Sequence, residues 1–282
     1  MDTAILIVLA IIILTLLCLR NRERIEKVLY GTKAAPDKRR GNPIGSAETI
    51  GNREFQQDVT GSALGDDSAL LVIADGKGRD QGGKIAAKIA VDTSLDLYGE
   101  YQNMDKPQYY FRRVFNLANH KILETMDERM GSASAAMAII KGNYLYYALV
   151  GSIKVAVYRG GDLIPVSEGQ TIDILARHRY EEGRISKETA ISLLNEERLY
   201  NVLGQDTFSD IEFFSKPLVL RPGDAVVLMT DGVPYALKWT QIEDCLKKGG
   251  AAQSMAQGII EAVNRSAKAD KDNAAVLIYQ HY

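Results

Sequence analysis

Apolar residues fall along this chain in three patterns, and each predicts a different element. The first is an unbroken run from Thr3 to Leu19, "TAILIVLAIIILTLLCL", 17 residues without a charge. A helix of roughly 20 apolar residues crosses a bilayer, and a helix apolar on every side does not suit the surface of a soluble domain. The second pattern is short runs bounded by turn residues: "ALLVIAD" (69–75), "SAAMAIIKG", "NYLYYALVG", "KVAVYRGG", "DLIPVS", "DAVVLMTDG" (224–232) and "NAAVLIYQ" (273–280). Runs of this length predict strands, and the Gly-Asn and Gly-Gly-Asp breaks between consecutive ones predict an antiparallel meander. The third pattern is helical spacing, in "GGKIAAKIAVDTSLDLY", "QYYFRRVFNLANHKILETMDERM" and "QSMAQGIIEAVNRSA", with a charged helical stretch over about 170–200. Strands and helices arrive in blocks, so the fold class is α+β: antiparallel sheets covered by paired helices.

The N-terminal run reads as a retained membrane anchor. A cleaved signal peptide needs a basic start and a small-residue cleavage site, whereas this chain has Asp2 and no such site. Arg20 to Arg40 carries eight basic and three acidic residues, a net +5. Positive charge beside an apolar segment holds that side in the cytoplasm. The expected organisation is a transmembrane anchor over 1–20, a basic juxtamembrane linker over 21–43, and one cytoplasmic domain over 44–282. The protein is then a single-pass protein of the cell membrane. The linker charges read as a solvated segment before they read as a lipid-binding one.

Composition narrows the chemistry. With 46% hydrophobic residues in 282, the chain holds ample core material. A net charge of −2 gives no argument for nucleic acid as a partner. Cys18 and Cys245 lie far apart, and His120, His178 and His281 are scattered, so neither a disulfide framework nor a histidine metal site is indicated. Any metal must be held by carboxylates. Cys245 and Trp239 read as packing residues of a C-terminal helix, and the tyrosines of "NYLYYALV" as sheet packing.

Carboxylates recur beside the predicted buried strands. Two apolar runs end on Asp-Gly, at Asp75-Gly76 and Asp231-Gly232; Asp272-Asn273 opens the last strand, and Asp58 edges another candidate element. Each alone suits a turn. Together, if their ends converge, they repel one another unless a cation neutralises them. Hard oxygen ligands suit Mg²⁺ or Mn²⁺, and a glycine lets a backbone carbonyl approach an ion closely. Such a cluster supports two-metal phosphoryl hydrolysis. If the four are only turn residues of a membrane-tethered scaffold, divalent metal leaves the melting temperature unchanged.

The motif series resembles that of the metal-dependent protein phosphatase family (type 2C), in its bacterial branch, from about Ile50 to Tyr279. "GNREFQQD" resembles G-x-R-x-x-N-x-D, and "VIADGKGRDQGGKIAA" the second motif, D-G-x-G-G-x-x-x-G-x-x-A-S after a hydrophobic residue. "GSASAAMAII", "GRISKETAISLLNEERLYNVLG", "LRPGDAVVLMTDGV" and "DKDNAAVLI" follow in the family's order. The resemblance implies a four-layer α/β/β/α sandwich holding two Mn²⁺ or Mg²⁺ ions at one end of the sheets. It implies that Asp75 bridges both ions, that the Gly76 carbonyl ligates one, and that Asp58, Asp231 and Asp272 complete the site. Arg53 would pair with the substrate phosphate through its planar fork of donors. The implied activity is hydrolysis of phosphoserine or phosphothreonine in a protein by a metal-activated water. A Ser/Thr kinase or its targets are the implied partners, and a mobile flap is implied over about 183–194.

Three departures bear on activity. The family's G-D-S-R reads Gly151-Ser152-Ile153-Lys154, so the aspartate of a third, weaker metal site is replaced by Ser152. Lys77 and Arg79 bring cations to positions that are apolar and glycine in relatives, and Gln56 and Gln57 are mild changes. Asp162 reads as a hairpin turn residue before it reads as a replacement ligand. Two readings follow: a slow or specialised phosphatase, favoured by retention of the four aspartates and Arg53, or a pseudo-phosphatase that binds a phosphoprotein without efficient turnover.

Overall fold

The computed structural model of the chain describes residues 42–100, 106–126, 131–194 and 196–282. The expected anchor, and the expected linker up to residue 41, lie outside the described residues. Among the described residues no helix is long and apolar enough to cross a membrane. Residues Asn42–Tyr282 form one compact unit.

Two antiparallel sheets make the centre of this unit. The first runs in the order β1 (Ile44–Thr49), β11 (Ala274–Gln280), β10 (Ala225–Met229), β6 (Lys154–Arg159), β7 (Asp162–Pro165). The second runs β2 (Asp58–Leu64), β3 (Ser68–Gly78), β4 (Gly131–Lys141), β5 (Tyr144–Val150), β8 (Glu212–Phe213), with β9 (Leu218–Val219) also on β5. Helices α1 (Gly82–Glu100) and α2 (Pro107–Met126) lie on the second sheet. Helix α7 (Ala252–Arg265) lies on the first, with α6 (Trp239–Lys247) against α7 and β7. Short helices α3 (Ile172–Glu181), α4 (Lys187–Ser192) and α5 (Gly232–Ala236) sit in the connections.

Strand alternation explains why the sheet runs read as continuously apolar. On β10, Val226 and Leu228 join the core between the sheets, whereas Ala225, Val227 and Met229 join the core beneath α6 and α7. Ala275 and Leu277 of β11 face the first core, and Ala274, Val276 and Ile278 the second. With both faces covered, each large side chain buried here contributes about 1.5–3 kcal/mol, and neither face admits a polar position.

Two expectations are corrected. The meander does not stay in one sheet: β4 and β5 belong to the second sheet, β6 and β7 to the first. The chain changes sheet at Gly151, whose φ of +90° is open to glycine. Hairpin signals fix local pairing but not the sheet in which a hairpin lies. The strand expected to end on Asp75-Gly76 continues to Gly78, because β4 goes on pairing it: Asp75 opposite Ser134, Lys77 opposite Ser132, Gly78 opposite Gly131. Gly76 is a close-approach position here rather than a turn. A Cβ on it would lie 2.0 Å from the Gly83 carbonyl oxygen at the start of α1.

Candidate metal and phosphate site

Asp58 opens β2 and stands directly opposite Asp75 in the β2–β3 register. Directly paired residues share a face of the sheet, so the two carboxylates sit together. Asp58 is 3% exposed, and its Oδ2 accepts a hydrogen bond from Thr230 Oγ1 at 2.8 Å. Thr230 is itself fully buried between β10 and Asp231, and its Oγ1 accepts from the Ala275 amide at 2.9 Å. One hydroxyl thus ties the second sheet to two strands of the first, and Asp231, the residue after Thr230, lies within the field of Asp75.

Asp272 and Asn273 precede β11. Asn273 Oδ1 accepts from the Gln57 amide at 2.8 Å, and its Nδ2 donates to the Ile50 carbonyl at 2.9 Å. The segment 50–58 is thereby pinned along the start of β11. A Cβ on Gly232 would lie 1.9 Å from the Asn273 carbonyl oxygen, so the turn after Asp231 packs on the same backbone. Arg53 Nε donates to Asp272 Oδ1 at 2.9 Å, and Arg53 lies 3.5 Å from Asp270. The Ser152 hydroxyl donates to Asp231.

Two adjoining clefts open over these groups. One, of about 450 Å³, is lined by Arg53, Gln57, Asp75, Gly76, Lys77 and Asp272. The other, of about 630 Å³, has Arg53, Lys77, Ser152, Lys154, Asp231 and Asp272 in its walls. The structure therefore brings Asp58, Asp75, Gly76, Asp231, Asp272 and Arg53 to one end of the two sheets. Asp162 is on the β6–β7 hairpin and lines neither cleft.

The electrostatics show what this convergence costs. Burial, with Asp75 adding to it, pushes the Asp58 carboxyl well above the usual carboxylate range, against the opposing Thr230 hydrogen bond. The Asp75 carboxyl is raised to about 7 by burial and by Asp231 and Asp272, with Lys77 opposing. Acids whose folded pKa is raised stabilise the fold in their protonated form. That contribution is complete below the ordinary value of 3.8 and is lost as pH rises through about 7 for Asp75. In a chelator the melting temperature is accordingly expected to fall by about 5–10 °C between pH 5 and 8. Mn²⁺ should flatten or reverse the slope, because metal replaces the protons. Scanning calorimetry across that range, with EDTA or Mn²⁺, checks it; a flat profile in EDTA would refute the cost assigned to the cluster.

The donor set fits a hard divalent cation: carboxylates at strand edges, a glycine carbonyl, and charge that is unfavourable without a cation. Among the described residues no three acidic, histidine or cysteine side chains gather closely enough to close a shell round one ion. The reason is visible in their partners. Asp58 is turned to Thr230, Asp231 to Ser152 and Asp272 to Arg53. Thr230 and Asn273 carry no sequence signal beyond adjacency to Asp231 and Asp272, and sequence reasoning missed both.

Residues 46–266 match a family model described as Protein phosphatase 2C. The serine/threonine phosphatase stp of Listeria welshimeri is 23% identical over 222 residues, covering 76% of this chain and 85% of that protein. The solved S. agalactiae serine/threonine phosphatase matches with a TM-score of 0.69 at 21% identity, over 84% of this chain and 99% of that one. The catalytic domain of the serine threonine protein phosphatase PstP, in complex with two manganese ions, matches with a TM-score of 0.65 at 20% identity, over 84% and 96%. At these identities the solved structures establish the shared fold.

Proposed function

Because this chain belongs to the protein phosphatase 2C family, we propose that it is a metal-dependent serine/threonine phosphoprotein phosphatase. The observation that carries the reading is the pairing of buried Asp58 with Asp75, which lines one cleft together with Arg53 and Asp272, while Asp231 lines the adjoining cleft with the same two residues. Asp58, Asp75, Asp231, Asp272 and the Gly76 carbonyl would hold two Mn²⁺ or Mg²⁺ ions. When bound, such ions supply an activated water and offset charge on the phosphoryl group.

The chain's own residues do the rest. Arg53, held over the clefts by Asp270 and Asp272, presents its remaining guanidinium N–H groups to phosphate oxygens. Thr230 and Asn273 hold Asp58 and the 50–58 segment in place. No side chain is required as a nucleophile. Residues 3–19 would tether the protein to the cell membrane with this domain in the cytoplasm, a reading supported by the apolar run and the basic stretch after it. Phosphorylated membrane-associated or cytoplasmic proteins are then the accessible substrates, with a Ser/Thr kinase as the natural counterpart.

A second reading, binding a phosphoprotein without efficient turnover, is favoured by the Ser152 hydroxyl that occupies Asp231. One experiment separates the two. The full-length protein is assayed on a phosphothreonine peptide and on p-nitrophenyl phosphate with Mn²⁺, Mg²⁺ or EDTA, and its melting is followed in parallel. Phosphate release with Mn²⁺ and none in EDTA is expected. A metal-induced rise in melting temperature without release selects the second reading; no rise removes the metal centre from both.

A further inference from the structure

Four cations stand round the two clefts: Arg53, Lys77, Lys154 and Lys268. Three are engaged. Arg53 is paired with Asp272 at 2.9 Å and Asp270 at 3.5 Å. Lys154 Nζ lies 3.5 Å from the Glu168 carbonyl oxygen, and Lys268 Nζ sits 4.5 Å above the Tyr235 ring. Among the described residues Lys77 has no carboxylate within ion-pair distance and no side-chain hydrogen-bond partner. It lines both clefts, as do Arg53 and Asp272.

Its direction follows from the strand. Because β3 runs on to Gly78, residues 75 and 77 are two apart on one paired strand and point to the same face. Gly76 points the other way, against Gly83. The ladder to Ser132 fixes the backbone at Lys77, with the Ser132 hydroxyl also reaching the Lys77 carbonyl oxygen at 3.4 Å. Lys77 thus stands on the carboxylate face one position beyond Asp75, exposed at the mouth. Its positive charge favours the ionised form of the Asp75 carboxyl, against the burial and neighbouring carboxylates that disfavour it.

We propose that Lys77 is a substrate-binding residue that grips the phosphate monoester dianion of the phosphoprotein at the cleft mouth, opposite Arg53. The inference rests on the phosphatase reading of the same clefts. A dianion approaching four carboxylates is repelled by them, and a fixed cation at the entrance favours its binding. Charge-assisted hydrogen bonds to phosphate are among the stronger ones. The same charge works against a divalent ion at Asp75. Lys77 therefore strengthens phosphate binding and weakens metal binding, and these opposite signs distinguish it from a residue that merely holds the site together.

The test uses Lys77→Met and Lys77→Arg in the full-length protein. Inorganic phosphate is titrated calorimetrically onto the Mn²⁺-loaded protein, Mn²⁺ onto the metal-free protein, and KM and kcat are measured on p-nitrophenyl phosphate. Lys77→Met should weaken phosphate binding and raise KM roughly ten-fold, leave kcat within about three-fold, and tighten Mn²⁺ binding roughly two- to five-fold. Lys77→Arg should stay near wild type in all three. Unchanged phosphate affinity in Lys77→Met, or loss of phosphate and Mn²⁺ affinity together, overturns the proposal. If wild type binds phosphate but turns nothing over, the phosphatase reading fails, and the calorimetry still decides on Lys77.

Discussion

Replacing Asp75 by asparagine is expected to lower Mn²⁺-dependent phosphate release by about 10³-fold or more and, without metal, to raise the melting temperature. The two effects have one cause. The Asp75 carboxyl sits opposite Asp58 and within the fields of Asp231 and Asp272, and burial with those charges raises it to about 7. Near pH 8 the metal-free fold therefore holds an ionised group that costs free energy relative to the unfolded chain. Asparagine keeps the shape and removes the charge, so the metal-free domain should gain roughly 1–3 kcal/mol, or about 3–8 °C. The same change removes an anionic oxygen from the proposed ion pair. A stability gain from an inactivating substitution is the pattern of a site whose charge arrangement serves chemistry at the fold's expense. Retained activity would dismiss Asp75 as a ligand, and a lower metal-free melting temperature would dismiss the account of its cost.

The parts of this fold legible in the sequence are those whose pattern is set by burial alone. Val226 to Met229 and Ala274 to Ile278 are apolar on both faces because each face meets a different layer, so the run announces the strand. Helices α1, α2 and α7 announce themselves by apolar spacing. What could not be read is decided by partners distant in the chain. Strands β8 and β9 are two residues each and exist because β5 offers an edge. The extension of β3 past Asp75-Gly76 depends on β4, since Asp-Gly by itself favours a turn. That unread extension is what sets Lys77 on the carboxylate face.

The candidate site divides in the same way. Carboxylates beside buried runs are conspicuous, because charge next to continuous apolar sequence is uncommon without a purpose, and Asp58, Asp75, Asp231 and Asp272 were visible for that reason. Their supports were not. Thr230 is a small polar residue between Met229 and Asp231, and nothing local distinguishes it from a core threonine. Only the approach of Asp58, 172 positions away, gives its hydroxyl a role. The same holds for Asn273, whose partners are the Gln57 amide and the Ile50 carbonyl.

Ser152→Asp gives the second large expected effect, and its sign depends on metal. Ser152 is 3% exposed and its hydroxyl donates to Asp231. An aspartate there sets a buried carboxylate against that of half-buried Asp231, and the donated hydrogen bond is lost. Without a cation this should cost about 3–5 kcal/mol, a fall of roughly 10 °C or more in melting temperature in EDTA. With Mn²⁺ the new carboxylate becomes a further oxygen ligand beside Asp231, and most of the loss should be recovered. Turnover at saturating Mn²⁺ should then rise several-fold if the missing carboxylate limits the enzyme. Ser152→Asn separates charge from size: similar in bulk but neutral, it should lower the melting temperature by the same amount with and without metal. Should Ser152→Asp lose equal stability in EDTA and in Mn²⁺, no ion reaches Asp231, and the arrangement round Ser152 is a hydrogen-bonded corner of the core.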